Sequence, residues 1–213
     1  ASRAWNGDFA YGPRTENAVS FTSANYSGFK FGFEYGFGEQ TKARDGRYLG
    51  AGLTYDNGPL SLGFGVERQN DAGLGYFNDP DFWGAPAGFT IATTADVTTF
   101  QFGGAYDFGA AKVMAFYKQS KAKDASVDWT GGGNTGSFDT DTDAKYKTFG
   151  LGVTAPVGAA GQVKVAYNHY RGSVSDPAFT SPTYKANQLS LGYVHNLSKR
   201  TALYGTYAYI KNK

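Results

Sequence analysis

FKFGFEYGF, residues 29–37, carries an aromatic ring at every odd position and Lys, Gly, Glu or Gly at every even one. A β-strand sends alternate side chains to opposite faces, so the five rings share one side and Lys30 and Glu34 share the other. A face made of rings suits a soluble core or a lipid bilayer. The rest of the chain has to separate the two.

Period-two alternation recurs along most of the sequence. Leu60, Leu62, Phe64 and Val66 alternate with Ser61, Gly63, Gly65 and Glu67. Phe149, Leu151, Val153, Ala155 and Val157 alternate with Gly150, Gly152 and Thr154, and Leu189, Leu191 and Tyr193 with Ser190 and Gly192. Phe100, Phe102, Tyr106 and Phe108 oppose Gln101, Gly103 and Asp107, while Val163, Val165 and Tyr167 oppose Lys164, Ala166 and Asn168. Between Lys112 and Lys118 the phase is ambiguous, because Met114 and Phe116 compete with Val113 and Tyr117. Ten strands are expected, near 16–26, 29–38, 47–56, 60–69, 95–107, 112–122, 145–156, 162–171, 186–196 and 200–210. Most have the roughly ten residues that a tilted strand needs to cross a bilayer.

The connections alternate as well. Short turns at YSGF, DNGP, DFGAAK, PVGAAG and NLSKR separate longer polar stretches at 39–46, 70–94, 123–144 and 172–185. Short turns at one end and long loops at the other describe an outer-membrane barrel. Rings gather towards strand ends: Phe29, Tyr55, Phe108 and Tyr193 near short turns, and Phe37, Tyr48 and Tyr207 near long loops. Interfacial girdles require that placement. A soluble β-sandwich would use shorter strands, commonly of about five or six residues, and has no reason to alternate its loop lengths. The expectation is an all-β, transmembrane antiparallel barrel.

Composition narrows the function. The chain has 213 residues, a net charge of +2 and no cysteine. Nothing in that balance points to nucleic acid, and thiolate metal sites and Cys nucleophiles are absent. Seventeen Phe, sixteen Tyr and 30 Gly favour strands and turns over helices. No run of about 18 apolar residues could form a membrane helix. The opening ASRAWNGD has no charged segment followed by an apolar one, so an export signal is expected to have been removed or to lie outside this chain.

Three stretches carry a family resemblance: LGYVHNLSKRTALYGTYAYIKNK (191–213), GRYLGAGLTYDNGPLSLGFGVERQ (46–69) and RTENAVSFTSANYSGFKFGFEY (14–35). Each resembles the trimeric general porins of Gram-negative outer membranes in their betaproteobacterial form, closest to the anion-selective ones. The resemblance implies a sixteen-stranded barrel, a homotrimer, and a water-filled pore narrowed by a loop folded inward. On it, residues 1–213 form a single barrel domain, with 1–13 the end of the constriction loop and 14–213 strands six to fifteen. A piece of a longer chain is therefore expected, since an open ten-stranded sheet in lipid leaves two rows of unpaired backbone groups.

The resemblance also singles out two arginines. Arg3 matches one near the end of the constriction loop, and Arg14 a basic residue opening the following strand. A guanidinium is permanently charged and would attract anions at a narrowed pore, an effect that salt screens. The bland alternative is an ion pair tying the loop to the wall, for example with Asp8 or Glu16.

On the strand phases, the water-facing side holds Lys30, Glu34, Glu67, Gln101, Asp107, Lys164 and Asn168. Charged rings there tune ion selectivity, although simple solvation in a wide channel explains each equally well. His169 and His195 fall on the lipid side near strand ends and read as interfacial. Asp139, Asp141 and Asp143 have the opening spacing of an EF-hand, but Ala144 and Gly150 stand where its Gly and Glu belong, leaving at most a loose divalent-cation site on an outer loop. The Gly clusters match no phosphate-binding motif, because no helix follows them. The expected function is passive diffusion of small hydrophilic solutes and anions across the outer membrane, without catalysis, cofactor or metal. Homotrimer partners, outer-membrane lipid and lipopolysaccharide would surround it. The alternative is an adhesin or structural barrel with a plugged lumen. A barrel hydrolase is a remote third, since no Ser–His pair gathers at one rim.

Overall fold

A computed structural model of the chain describes residues 17–38, 46–77, 90–131, 134–139, 142–175 and 183–213. These form eleven strands: β1 Ala18–Thr22, β2 Phe29–Gly36, β3 Tyr48–Asn57, β4 Leu60–Phe77, β5 Thr90–Asp107, β6 Lys112–Gly131, β7 Asn134–Asp139, β8 Asp143–Val157, β9 Gly161–Ser175, β10 Thr183–Ser198 and β11 Thr201–Asn212. No helix occurs among the described residues. All eleven belong to one antiparallel sheet. Ten follow one another in chain order from β1 to β11, and β7 stands off that path, paired to β6 alone.

The ten expected strands are therefore present, with two differences. The first is length. β4, β5 and β6 run well past the expected boundaries at their long-loop ends, while β1 stops short at Thr22. The second is β7, which pairs Ser126 with Asp139 and Thr130 with Thr135, inside a segment expected to be loop. The extended strands and β7 have one cause. A Gly-, Asp- and Ser-rich composition reads as loop, but backbone N–H and C=O groups still need partners, and extending a hairpin supplies them without any apolar face to bury.

The short turns are built as their residues dictate. In YSGF, Tyr26 and Phe29 exchange backbone hydrogen bonds of 2.8 and 3.0 Å. Ser27 and Gly28 between them have φ of 50° and 96°. Positive φ at both central residues is the turn geometry whose twist suits a two-residue hairpin.

Register aligns the alternation from strand to strand. On one face Phe33 stands opposite Ala51, Ala51 opposite Val66, and Val66 opposite Phe100. Further along, Val113 faces Val153, Val153 faces Val165, Val165 faces Leu191, and Leu191 faces Tyr207. The register resolves the ambiguous segment. Tyr106 pairs with Val113 and Phe102 with Tyr117, so these join the apolar face, and Met114 and Phe116 lie on the polar one.

The apolar face has nothing packed on it among the described residues. Phe29, Phe31 and Phe33 are 46%, 48% and 45% exposed, and Leu151 is 52% exposed. Soluble monomers rarely expose contiguous apolar patches beyond a few hundred Å². This face spans ten strands and is banded. Across β6 to β10, a row of Tyr117, Phe149 and His169 lies at the long-loop side, aliphatic Leu151, Val153, Val165 and Leu191 occupy the middle, and Tyr193 with His195 closes the short-turn side. From Phe149 to Val157 the strand covers about 26 Å before tilt, on the order of the ~25 Å apolar band of outer-membrane barrels.

The small buried core sits on the opposite side. Ala95, Val97 and Ala122 cluster with Ala72 and Ala125 near the long-loop end, with Ala144 and Tyr146 packed against them. Beside them the Thr99 and Ser120 hydroxyls share a buried hydrogen bond of 3.0 Å.

Candidate functional site: the polar face of the sheet

The polar face is built from the even phases of β2, β3, β6, β8, β9 and β10 and the odd phases of β4 and β5. Cross-strand pairing arranges it in rows. Lys30 stands opposite Thr54, which stands opposite Gly63, followed by Gly103, Phe116, Gly150, Asn168 and Gln188. One row towards the long loops, Gly65 faces Gln101 and Gln101 faces Lys118. One further row holds Glu34, Gly50, Glu67, Thr99 and Ser120. Near the short turns Asp107 pairs with Lys112, Lys112 with Thr154, and Thr154 with Lys164.

All seven residues expected on the water-facing side therefore lie on this one face. Lys30, Asp107 and Lys164 are exposed, while Glu34, Glu67, Gln101 and Asn168 are half-buried. Charges of both signs alternate along it, so the wall of described residues has no single sign. Arg3 and Arg14 lie outside the described residues, as do Asp8, Glu16 and Asp141. Asp143 is placed, 3.9 Å from the ammonium of Lys123. His169 and His195 lie on the aromatic face. The His169 Nδ1 is 2.7 Å from Asn187 Oδ1, which also accepts from the Tyr167 hydroxyl at 2.9 Å. His195 Nδ1 is 3.1 Å from the Tyr193 hydroxyl.

Between β2 and β6 the polar face holds a concavity of about 580 Å³. Glycines 32, 50, 52, 63, 65 and 103 form its floor, with Lys30, Glu34, Glu67, Gln101 and Lys118 around it. At Gly63 the missing side chain leaves open space.

Some glycines of this face, Gly50 of the floor among them, seat rings instead. A Cβ on Gly150 would collide with the Phe116 ring directly across the ladder, and one on Gly172 would come within 3.0 Å of Tyr146. A Cβ on Gly50 would stand 2.7 Å from the hydroxyl of Tyr48. Bulky polar-face residues thus lie over glycines of the wall, an arrangement that covers bare backbone.

Tyr48 corrects one expectation. Counted among the interfacial rings, it falls on the polar face, is only 6% exposed, and donates to Glu67 Oε2 at 3.2 Å. The half-turn of phase follows from its pairing with Gly36 and Gln69. Composition could not reveal it, because a Tyr at a strand end fits either face. Lys118 was also missed. It is 7% exposed, in the segment whose phase only the pairing with β5 decides.

Comparison with known proteins gives this two-faced sheet a family. Residues 2–213 match the model of the Gram-negative porin family. The chain belongs to that family. It is 38% identical over 206 residues to outer membrane porin protein 32 of Delftia acidovorans, covering 95% of this chain and 48% of that one. An outer membrane porin protein of Bordetella pertussis is 28% identical, with 93% and 53% covered. Among solved structures, the anion-selective porin from Comamonas acidovorans superimposes with a TM-score of 0.63 at 36% identity, over 92% of this chain and 49% of that one. The chain thus spans about half the length of the curated relatives it matches. Its location is the bacterial outer membrane, and the aromatic face of this porin sheet is its lipid-facing side.

Proposed function

We propose that this chain forms part of the wall of a passive, water-filled channel that admits small hydrophilic solutes and favours anions. The observation that carries this reading is the register. Ten successive strands keep one face apolar and the other polar, with glycines thinning the polar wall. That wall faces water, and transport follows from a hole of fixed width rather than from chemistry. Among the described residues β1 and β11 each lack a partner on one side, and an unpaired edge is costly in lipid at several kcal/mol per group. Closure by further strands into the sixteen-stranded barrel of the resemblance removes both, and a homotrimer completes the assembly.

The anion bias is assigned to Arg3 and Arg14 at the constriction, with Lys30, Glu34, Glu67 and Lys164 lining the wider pore. The mixed signs on the wall support placing the bias elsewhere, and the relative whose structure is named anion-selective supports its direction. The test is the reversal potential of the protein, extracted from native membranes, in a planar bilayer under a salt gradient. Stepwise conductance with an anionic sign is expected. Steps of cationic sign would retain the channel and remove the selectivity, whereas no steps would favour the plugged barrel.

A further inference from the structure

Charges and rings occupy different parts of the polar wall. Lys30, Glu34, Glu67 and Lys118 lie around the concavity between β2 and β6. On β8, β9 and β10 the same face carries no charge over residues 146–152, 166–172 and 184–190, and offers rings, amides and hydroxyls instead. Four rings climb across it towards the long loops. Phe116 on β6 shares its row with Asn168 and Gln188. Tyr170 on β9 stands one row further out, and Tyr146 on β8 and Tyr184 on β10 one row beyond, both paired with Gly172. From the first row to the last is about 13 Å along the strands.

Tyr146 and Tyr170 are nearly parallel, with planes 26° apart and ring centroids at 5.9 Å. Both meet over Gly172, where a Cβ would stand 3.0 Å from the Tyr146 ring and 3.3 Å from the Tyr170 hydroxyl. Phe116 and Asn168 Oδ1 meet over Gly150 in the same way. Phe116 and Tyr184 are exposed. Covering bare backbone accounts for Phe116 and Tyr146 but not for all four rings. Tyr170 stands between Thr148 and Ala186, and Tyr184 contributes none of the atoms nearest Gly172. The amides beside the rings have unused capacity. Half-buried Asn168 makes no side-chain hydrogen bond among the described residues. Gln188 donates from Nε2 to the Ser190 hydroxyl at 3.0 Å, while its carbonyl oxygen accepts from none of them.

We propose that Phe116, Tyr146, Tyr170 and Tyr184, with Asn168 and Gln188, form a track that binds neutral saccharide chains of the linear glucan class. A pyranose unit is an uncharged disc with an apolar C–H face and a rim of hydroxyls. The C–H face suits the electron-rich face of a ring, and the hydroxyls suit amides that both donate and accept. Charge decides against the rival ligands: an organic anion finds no cation on this stretch of wall, and a cation finds no carboxylate. A purely aromatic solute would leave the amides unused. Several weak stations in succession hold a chain without trapping it, as passage through a channel requires. The site rests on the reading of this face as the wall of a water-filled pore.

The test uses protein extracted in mild detergent from its own outer membrane, with maltohexaose as the probe. Binding is titrated by calorimetry in detergent, and block of the conducting steps by the same sugar is recorded in a planar bilayer. Saturable binding and reversible block are expected, and polyethylene glycol of similar mass should block far less. Tyr170→Ala is expected to weaken both on the order of tenfold, about what one lost ring contact removes. Tyr170→Phe keeps the ring and should retain most of the affinity. Normal steps with no sugar binding overturn the proposal and leave the channel standing, whereas sugar binding without steps keeps the track and removes the channel. Equal block by polyethylene glycol would reduce the effect to simple obstruction, and unchanged affinity in Tyr170→Ala would remove the rings; either overturns the proposal. Stronger block by benzoate than by the sugar also overturns it, by assigning the rings to aromatic anions. Should Tyr170→Ala not fold, Tyr184→Ala, at an exposed ring, is measured, with a loss expected in the same direction and unchanged affinity counting against the track.

Discussion

At the scale of single residues, glycines decide where rings can lie. Phe116 occupies the polar wall because its partner across the ladder, Gly150, has no side chain. Gly150→Val drives a branched side chain into that ring and into the Asn168 amide. Overpacking of this kind costs about 1–3 kcal/mol. Urea unfolding in detergent should show a loss of this size, and Phe116→Ala in the same chain should recover part of it. Additive losses would mean that the glycine does not make room for the ring. Glycines 63 and 58 have open space instead, so the same substitution at Gly63 should cost less.

At the scale of the element, β4 and β5 leave the membrane through an irregular register. Beyond Val66 and Phe100 the pairing slips between Gln69 and Ala72, and Asp71 takes a φ of 45°. Asp96 holds the irregularity. Its carboxylate accepts from Asn70 Nδ2 at 2.8 Å, the Asp71 backbone N–H at 3.1 Å and Arg68 at 3.1 Å. Burial raises its pKa, but these donors outweigh it and hold the group below its ordinary 3.8. A carboxylate lowered in the folded state contributes stability that is complete above the unfolded value and lost as pH falls through the folded one. The protection of the amides at residues 70–72, that is exchange corrected for its intrinsic pH dependence, should thus be constant from neutral pH to about pH 5 and fall below it. Asp96→Asn should abolish that acid step. Asp96→Ala should speed exchange there at neutral pH, by an opening cost lowered by about 1–2 kcal/mol. The exposed Arg68 is expected to contribute the smallest part.

At the scale of the whole molecule, the signs on the polar wall matter more than any one charge. Lys164 shares its row with Lys112, and Asp107 stands beside Lys112 in the same row. Reversing one member of so mixed a wall changes the field little. Lys164→Glu should therefore move the reversal potential less than Arg3→Glu, which should reduce anion preference with little effect on folding. An equal shift from the two would assign selectivity to the wall rather than the constriction. Raising salt from about 0.1 M to 1 M should weaken the Arg3 effect, as the screening length falls from ~10 to ~3 Å.

The alternation of FKFGFEYGF and its repeats determined the strands, their two faces and the short-turn, long-loop asymmetry. Period two is a local property of the extended backbone, and it is written in neighbouring residues. The positions of Lys30, Glu34, Glu67 and Lys164 on one face were legible for the same reason. What pairing alone decided is non-local. The side taken by Tyr48, Phe116 and Lys118 depended on which strand each met, because a ring at a strand end or a run of apolar neighbours satisfies either phase. The β6–β7 hairpin was hidden by residues that resemble loop, since a ladder outside the bilayer needs backbone partners and no apolar pattern. The track of Phe116, Tyr146, Tyr170 and Tyr184 was hidden most completely. Its members are separated along the chain and diluted among seventeen Phe and sixteen Tyr, and only register brings them to neighbouring rows of one face.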